Sequence, residues 1–188
     1  MLIGHSCTKM ATIDTLLLEF LTDLDNQLQK DIDLLVLGGN ALIIYGCKYT
    51  TRDVDICVRG VDVDVYDWSM QWSKKNKVMV DVYIDGWFKN VRFPDYLKRS
   101  THIPNLGFKH INIYLMNIYD MVLTKVDRWS DRDRQDINSL LRVLKIEKRL
   151  LDGRYSYYLK NFNGPEHEKQ RFANNFGEFL NVFGQWLH

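Results

Sequence analysis

The chain has 188 residues, of which 46% are hydrophobic and 26% are charged, and its formal net charge is +1 at pH 7. These values are typical of a soluble globular protein with one sizeable core, or with a small α/β core and a helical appendage. The near-neutral charge argues against a strongly electrostatic nucleic-acid binder.

Targeting and redox signals agree with a cytoplasmic location. No apolar run approaches the roughly 18 residues that a membrane-spanning helix needs, so no membrane partner is expected. The first residues lack a basic segment followed by an apolar one, which argues against a signal peptide. The three cysteines, Cys7, Cys47 and Cys57, form no CxxC pair. Reduced thiols in a cytoplasmic protein are the simplest explanation.

The first predicted elements follow the order helix, strand, helix. Residues 12–30 repeat apolar side chains with the helical period, which predicts a helix packed on a sheet. Thr12 and Asp14 are the two candidates for its N-cap. Residues 34–37 form an apolar strand that is stopped by Gly38 and Gly39. A short apolar helix is then predicted over residues 40–45.

The glycine pair precedes a strand that carries two carboxylates. Glycines let the backbone approach a ligand closely, and the amides at the start of the next helix form an anion site. After a polar loop over residues 46–52, a second strand is predicted for Asp53–Val58. Its alternate residues Asp53 and Asp55 share one face, about 7 Å apart at the backbone, while the apolar residues take the buried face. Phosphate donors and paired carboxylates therefore lie together, as a site for a metal-bound nucleoside triphosphate requires.

A further carboxylate interrupts a later apolar strand. A helix is predicted over residues 63–75 and a strand over residues 78–84, with Asp81 inside it. Aspartate is disfavoured in strands, and a buried carboxylate needs a partner or a metal, so Asp81 is the candidate for a third acid. The alternatives are that Asp81 lies on an exposed edge, or that Asp85 in the following turn is the third acid.

The rest of a mixed sheet is expected between residues 87 and 116. Two short strands are predicted, near residues 91–93 and over residues 111–115, with a polar loop over residues 98–107 between them. From Asn117 onward the pattern becomes helical, with helices over residues 118–129 and 131–147. An aromatic-rich stretch (150–162), a break at residues 163–165 and a final helix (166–186) follow. The phenylalanines of this last helix face the core or a partner, and the core is favoured.

The sequence Gly38-Gly39-Asn40, followed by Asp53-Val54-Asp55, resembles the signature of the DNA polymerase β-type nucleotidyltransferase superfamily. There a Gly-Gly or Gly-Ser turn opens a helix, and Asp-x-Asp lies on the next strand. That superfamily usually has serine, whereas this chain has Asn40, which also donates and accepts hydrogen bonds. The resemblance places the third acid on the strand beside Asp-x-Asp, which favours Asp81 over Asp85.

A second resemblance lies in the helical half of the chain. The pattern Tyr-Asp-x-x-x-x-Lys, then Arg-Asp-Arg-Gln-Asp-Ile, is similar to small nucleotidyltransferase-like proteins, including the AbiEii-type toxin branch. There a lysine and a following aspartate help to bind the triphosphate and complete the active site. The matching residues are Lys125 and either Asp133 or Asp136. By position alone Lys125 is an ordinary solvated lysine, and Asp131 and Asp133 also suit the positive end of a helix dipole.

The two resemblances together predict an α/β (α+β) fold. Its nucleotidyltransferase core spans residues 1–116, with a mixed sheet flanked by helices. A helical region over residues 117–188 packs on this core, or the two form one continuous domain. The nucleotide-binding candidates are Gly38, Gly39, Asn40, Thr51, Lys125, Asp133 and Asp136.

Three converging aspartates also imply a cation. Two like charges about 4 Å apart repel by roughly 4 kcal/mol at an effective dielectric of about 20, so one acid is protonated or cations bind. All-oxygen ligands select Mg²⁺ or Mn²⁺. The resemblance implies attack by an acceptor hydroxyl on the α-phosphorus of a nucleoside triphosphate, with pyrophosphate released. Asp53, Asp55 and Asp81 are the catalytic and metal-binding candidates. Of these, Asp81 helps to activate the hydroxyl, and Lys125 and the glycine turn hold the β- and γ-phosphates.

The acceptor and the oligomeric state are open at this point. RNA such as a tRNA end, a partner protein and a small molecule are the three acceptor classes. A toxin–antitoxin role is one possibility under the first. The alternative is an inactive nucleotidyltransferase fold that binds a nucleotide or a partner without catalysis.

Overall fold

The computed structural model describes residues 13–59, 63–88, 90–92, 95–104 and 106–188. Cys7, Thr12 and Phe93 of the expectations above lie outside the described residues. In chain order the elements are α1 (Thr15–Asp25), β1 (Ile32–Val36), α2 (Gly38–Ile44), β2 (Asp53–Val58), α3 (Val63–Asn76), β3 (Met79–Ile84), β4 (Trp87–Phe88), β5 (Val91–Arg92), α4 (Tyr96–Arg99), β6 (Thr101–Ile103), β7 (Ile111–Leu115), α5 (Ile118–Arg128), α6 (Asp131–Val143), α7 (Lys148–Lys160) and α8 (Glu166–Phe183), followed by a 3₁₀ turn (Gly184–Trp186).

Five of the strands form one mixed sheet, with the order β3-β2-β1-β7-β6. The β1 strand pairs antiparallel with β2 and parallel with β7, while β2 pairs parallel with β3. Together with the flanking helices and the helical C-terminal part, this sheet confirms the predicted α/β class. The β3 strand is an edge of the sheet, and this edge carries Asp81.

Two details of the predicted sheet are wrong. The strand near residue 91 does not join the main sheet, because β4 and β5 pair with each other in a separate two-stranded sheet. Pairing between strands so close in sequence closes only a short loop, which costs little chain entropy. The polar loop expected over residues 98–107 contains the end of α4 and the edge strand β6. Exposed side chains at Thr101 and His102 hid that strand from the hydrophobic pattern.

The core is continuous across the predicted boundary at residue 116. On the face of the sheet away from the carboxylates, α1 buries Phe20, whose ring centroid lies 5.5 Å from Trp68 and 5.2 Å from Trp72. The same buried cluster includes Val126 of α5 and Phe179 of α8. The division into residues 1–116 and 117–188 stays a prediction.

The helical part places α5 beside the sheet. Four phenylalanines of α8 are buried, as the core interpretation of that helix predicts. The α7 helix fills the aromatic-rich stretch, and its Tyr158 stacks on Phe172 with ring centroids 4.1 Å apart. Asp120 of α5 is buried between Arg99 and Arg154, with N–O distances of 2.9 and 2.8 Å, and so ties α5 to α4 and α7. Within the described ranges, no helix is long and apolar enough to cross a membrane.

Candidate active site

The glycine turn fits against a carboxylate of β2. Gly38 has a φ of +59°, and a Cβ atom at this position would lie 1.8 Å from Oδ2 of Asp55. The N–H of Gly39 donates to the same oxygen at 3.3 Å. Only a residue without a side chain can take this conformation so close to the carboxylate. The turn therefore holds Asp55 at the start of α2.

The other side of the turn contacts Thr51, Asp53 and the backbone of β2. A Cβ atom at Gly39 would lie 2.4 Å from Oγ1 of Thr51, and this hydroxyl donates to Oδ1 of Asp53. Asn40 is fully buried, and its Oδ1 accepts from the N–H of Asp55 at 3.0 Å. Asn40 therefore fixes β2 against α2.

The third candidate acid lies beside the other two. Asp81 of β3 is opposite Asp55 in the parallel register, and Asp53, Asp55 and Asp81 all line one cavity of about 290 Å³. We call it the catalytic cavity. Asp81 is exposed, which corrects the expectation of a buried acid and follows from its place on an edge strand. Asp85 does not line the catalytic cavity.

Negative charge accumulates at Asp55. Burial, together with the charges of Asp53 and Asp81, raises the pKa of Asp55 from its ordinary value of 3.8 to about 6, against the opposing effects of the hydrogen bond from Gly39 and the charge of Arg128. Among the described residues, no group of three or more His, Cys, Asp or Glu side chains forms a metal site by itself. The three acids offer only oxygen donors, which is the ligand type that Mg²⁺ and Mn²⁺ prefer.

Lys125 is a buried, paired lysine rather than a solvated one. Its residue is 2% exposed, and its Nζ lies 2.6 Å from Oδ2 of Asp136 and 3.7 Å from Oδ1 of Asp133. The second oxygen of Asp136 lies 3.2 Å from Nζ of Lys48. Asp136 thus joins a lysine of α5 to a lysine of the loop before β2, and both lysines line the catalytic cavity.

Asp133 combines a capping role with charge pairing. It forms a reciprocal capping box with Ser130 at the start of α6, and its Oδ1 lies 2.7 Å from Nη2 of Arg128. Burial opposes ionisation of Asp133, but the hydrogen bonds from Ser130 and Arg128 hold its pKa below the usual value. The helix-capping alternative for Asp133 is therefore observed alongside its contact with the basic groups.

The sequence patterns did not identify four residues that line the catalytic cavity: Lys48, Arg128, Ser130 and Arg132. The spacing of Lys125, Arg128 and Arg132 by three and four residues was the available signal. That spacing was obscured because Trp129, with a φ of 52°, ends α5 between them. In the folded chain, Nη2 of Arg132 lies 3.8 Å from Oδ2 of Asp53. The completed cavity carries four basic side chains and five carboxylates.

Comparison with known proteins supports one family. No curated protein and no solved structure matches this chain. The model of a family described as "Nucleotidyltransferase of unknown function (DUF6036)" matches residues 9–181. The match covers most of the chain and includes every residue of the catalytic cavity, but it does not single out the AbiEii-like branch. The chain therefore belongs to this nucleotidyltransferase family.

Proposed function

We propose that the protein is a metal-dependent nucleotidyltransferase that moves a nucleoside monophosphate from a nucleoside triphosphate to an acceptor hydroxyl. The observation that carries this proposal is the shared catalytic cavity. Asp53, Asp55 and Asp81 line it together with four basic side chains and Gly39 at the start of α2. Carboxylates that bind a cation and cations that bind phosphates are the two requirements of phosphoryl-type transfer.

The donor set fits Mg²⁺ or Mn²⁺. Asp53 and Asp55 would hold the cation, with phosphate oxygens and water completing its coordination, as is usual for Mg²⁺. Burial, and then the charges of Asp53 and Asp81, raise the pKa of Asp55, and a bound cation would favour its ionised form. When bound, the metal supplies charge neutralisation at the α-phosphate.

The basic side chains bind and orient the triphosphate. Lys48, Lys125, Arg128 and Arg132 all line the catalytic cavity, and Lys48 and Lys125 share Asp136 in the structure. Arg128 also donates a hydrogen bond to Oδ1 of Asp133 at 2.7 Å. Bound phosphates would compete with Asp133 and Asp136 for the basic groups, which are already oriented toward the cavity. Such preorganisation lowers the cost of binding.

A side chain of this protein can accept the proton that the transfer step releases. The acceptor oxygen forms a bond to the α-phosphorus, the bond from that phosphorus to the bridging oxygen of the β-phosphate breaks, and pyrophosphate leaves. The acceptor proton passes to the exposed carboxylate of Asp81 and then to water. Asp81 lies opposite Asp55 in the parallel register, which supports a role for it beside the reacting phosphorus.

The test is transfer of label from each α-³²P nucleoside triphosphate with Mg²⁺ or Mn²⁺, offering bulk tRNA, lysate protein and small molecules as acceptors. We expect transfer by the wild type and by Asp67→Ala, which changes an exposed aspartate of α3, and none by Asp55→Ala. Absence of both transfer and metal-dependent nucleotide binding in the wild type would contradict the proposal.

An inactive binding module is the second candidate. Metal-dependent nucleotide binding that is lost in Asp55→Ala, without transfer to any acceptor, would support this candidate instead. The toxin–antitoxin role stays a prediction.

A further inference from the structure

A second cavity, of about 330 Å³, adjoins the catalytic cavity. The two cavities share Asp55, Lys125 and Arg128, and they differ in the rest of their walls. Lys48 and Arg132 line only the catalytic cavity, whereas the side chains that line only the second one come from β3, β4, α5, α7 and Leu37 before α2. Asp55 therefore lies at the boundary between the catalytic cavity, which carries four basic side chains, and a second cavity with a different lining.

The second compartment is lined mainly by apolar and aromatic groups. Its rings belong to Tyr83, Phe88 and Tyr158, and we call it the aromatic pocket. The rings of Tyr83 and Phe88 pack with centroids 5.7 Å apart, and Tyr158 is held by its stack on Phe172. Because packing fixes these rings, the pocket is preformed. Its volume falls at the lower end of the roughly 300–1,000 Å³ typical of small-molecule sites.

The direction of the transfer reaction assigns a role to each compartment. In phosphoryl-type transfer, the attacking and leaving oxygens lie roughly in line with the phosphorus between them. The leaving pyrophosphate requires cations, and those of Lys48 and Arg132 are on the catalytic-cavity side of Asp55. The attacking hydroxyl must then approach from the opposite side. The aromatic pocket meets the catalytic cavity at Asp55 and is not lined by Lys48 or Arg132, so an acceptor bound there would reach the α-phosphorus from the side away from those two cations.

The charges of the aromatic pocket indicate what kind of molecule it accepts. Lys125 and Arg128 at its boundary are paired with Asp136 and Asp133, respectively. Asp127 on its wall is 3% exposed, and its Oδ1 lies 3.8 Å from Nη2 of Arg171. Since these three charged side chains have partners, and Asp55 at the boundary would face the cation of the catalytic cavity, the pocket favours an uncharged molecule. Aromatic walls favour a flat one, because rings stack on planar surfaces.

We propose that the aromatic pocket is the acceptor subsite, and that the acceptor is an uncharged, flat, hydroxyl-bearing small molecule. This inference rests on the proposed function. Its hydroxyl oxygen bonds to the α-phosphorus, pyrophosphate leaves, and the proton passes to Asp81. The products are the nucleotidyl ester of the small molecule and pyrophosphate.

Thr124 offers a way to close the aromatic pocket without touching the carboxylates or the basic groups. It lines the pocket, and its hydroxyl donates to the carbonyl oxygen of Met121 at 2.9 Å, within its own helix. Thr124→Leu adds bulk to the wall, whereas Thr124→Val removes only the hydroxyl and keeps the shape. Thr22→Leu is a control on α1, where the exposed Thr22 makes a similar bond to Leu18 at 2.7 Å.

The experiment uses ligand-detected NMR to measure the equilibrium binding of small-molecule probes to the full chain. The probes are phenol, 2-naphthol and 4-hydroxybenzyl alcohol, each measured with Mg²⁺ and an α,β-methylene nucleoside triphosphate. We expect at least one probe to bind the wild type. Thr124→Leu should weaken that binding about 10- to 200-fold, the usual cost of a misfit of a methylene or so in an apolar pocket. Thr124→Val and Thr22→Leu should bind it as the wild type does. Binding of the nucleotide analogue should stay unchanged in all variants, which also shows that they fold.

The remaining outcomes overturn the inference. Either no probe binds the wild type, or Thr124→Leu leaves probe binding unchanged. If Thr124→Leu weakens the nucleotide analogue as well, the pocket holds the nucleobase and not the acceptor. If α-³²P label moves to bulk tRNA equally well in wild type and Thr124→Leu, the acceptor is a macromolecule. Loss of metal-dependent analogue binding in the wild type is a separate result, which refutes the proposed function itself.

Discussion

Replacing Asp55 by asparagine should stabilise the metal-free protein while removing its metal-dependent nucleotide binding. The carboxylate is half-buried, and burial, then Asp53 and Asp81, raise its pKa from 3.8 to about 6. A carboxylate whose pKa is raised on folding is ionised at a cost to the folded state. Asparagine is neutral, and its side-chain oxygen can still accept the hydrogen bond from Gly39.

The magnitude follows from the pKa change. Each pKa unit corresponds to about 1.4 kcal/mol, so the rise from 3.8 to about 6 costs the folded protein about 3 kcal/mol above pH 7. Because the folded state binds the proton more tightly, this cost is absent well below pH 3.8, grows as the pH rises, and is complete above about pH 6. The advantage of Asp55→Asn should therefore be about 1 kcal/mol at pH 4.5 and about 3 kcal/mol at pH 7.5.

Urea unfolding in EDTA at the two pH values measures this difference, with Asp67→Asn as an exposed control. Adding Mg²⁺ at pH 7.5 should raise the free energy of unfolding of the wild type and leave Asp55→Asn unchanged, because a ligand of the folded state stabilises it by mass action. Equal stabilities of wild type and Asp55→Asn in EDTA at pH 7.5 would refute the electrostatic reasoning. So would an advantage of the same size at both pH values.

Three further changes test other contacts of the site. A non-glycine residue in the left-handed conformation costs about 1–2 kcal/mol. Gly38→Ala should destabilise the protein by more than this, because its Cβ atom would overlap a carboxylate oxygen of Asp55. The control Gly46→Ala, with a φ of +73° and open space around it, should lose only the conformational cost in urea unfolding. Lys125→Met should weaken Mg²⁺–nucleotide binding about tenfold or more in calorimetry, since it removes a buried charge; unchanged affinity would exclude a phosphate contact. Ser130→Ala should lose about 0.5–2 kcal/mol of stability through the capping box, and no loss would show that the contacts of Asp133 with Arg128 and Lys125 suffice to hold it.

The sequence by itself determined the elements that carry the carboxylates. The predicted β2 strand has the bounds seen in the structure, Asp53–Val58, because the alternation of Asp53, Val54, Asp55 and Ile56 is a local signal. The predicted β7 strand, Ile111–Leu115, is likewise as observed, and α5 and α8 begin where predicted. These features depend on neighbours within a few residues, which a periodic pattern records.

Only the tertiary structure decided which groups meet. Lys48 and Asp136 are 88 residues apart in the chain and form a 3.2 Å pair, with no local pattern to mark it. The arginine at position 132 reaches Asp53 because α6 starts beside the strand β2. The aromatic pocket likewise draws its rings from three separate elements, β3, β4 and α7. Such contacts arise when distant segments pack on one core, so their geometry is a property of the whole fold and not of any stretch of sequence.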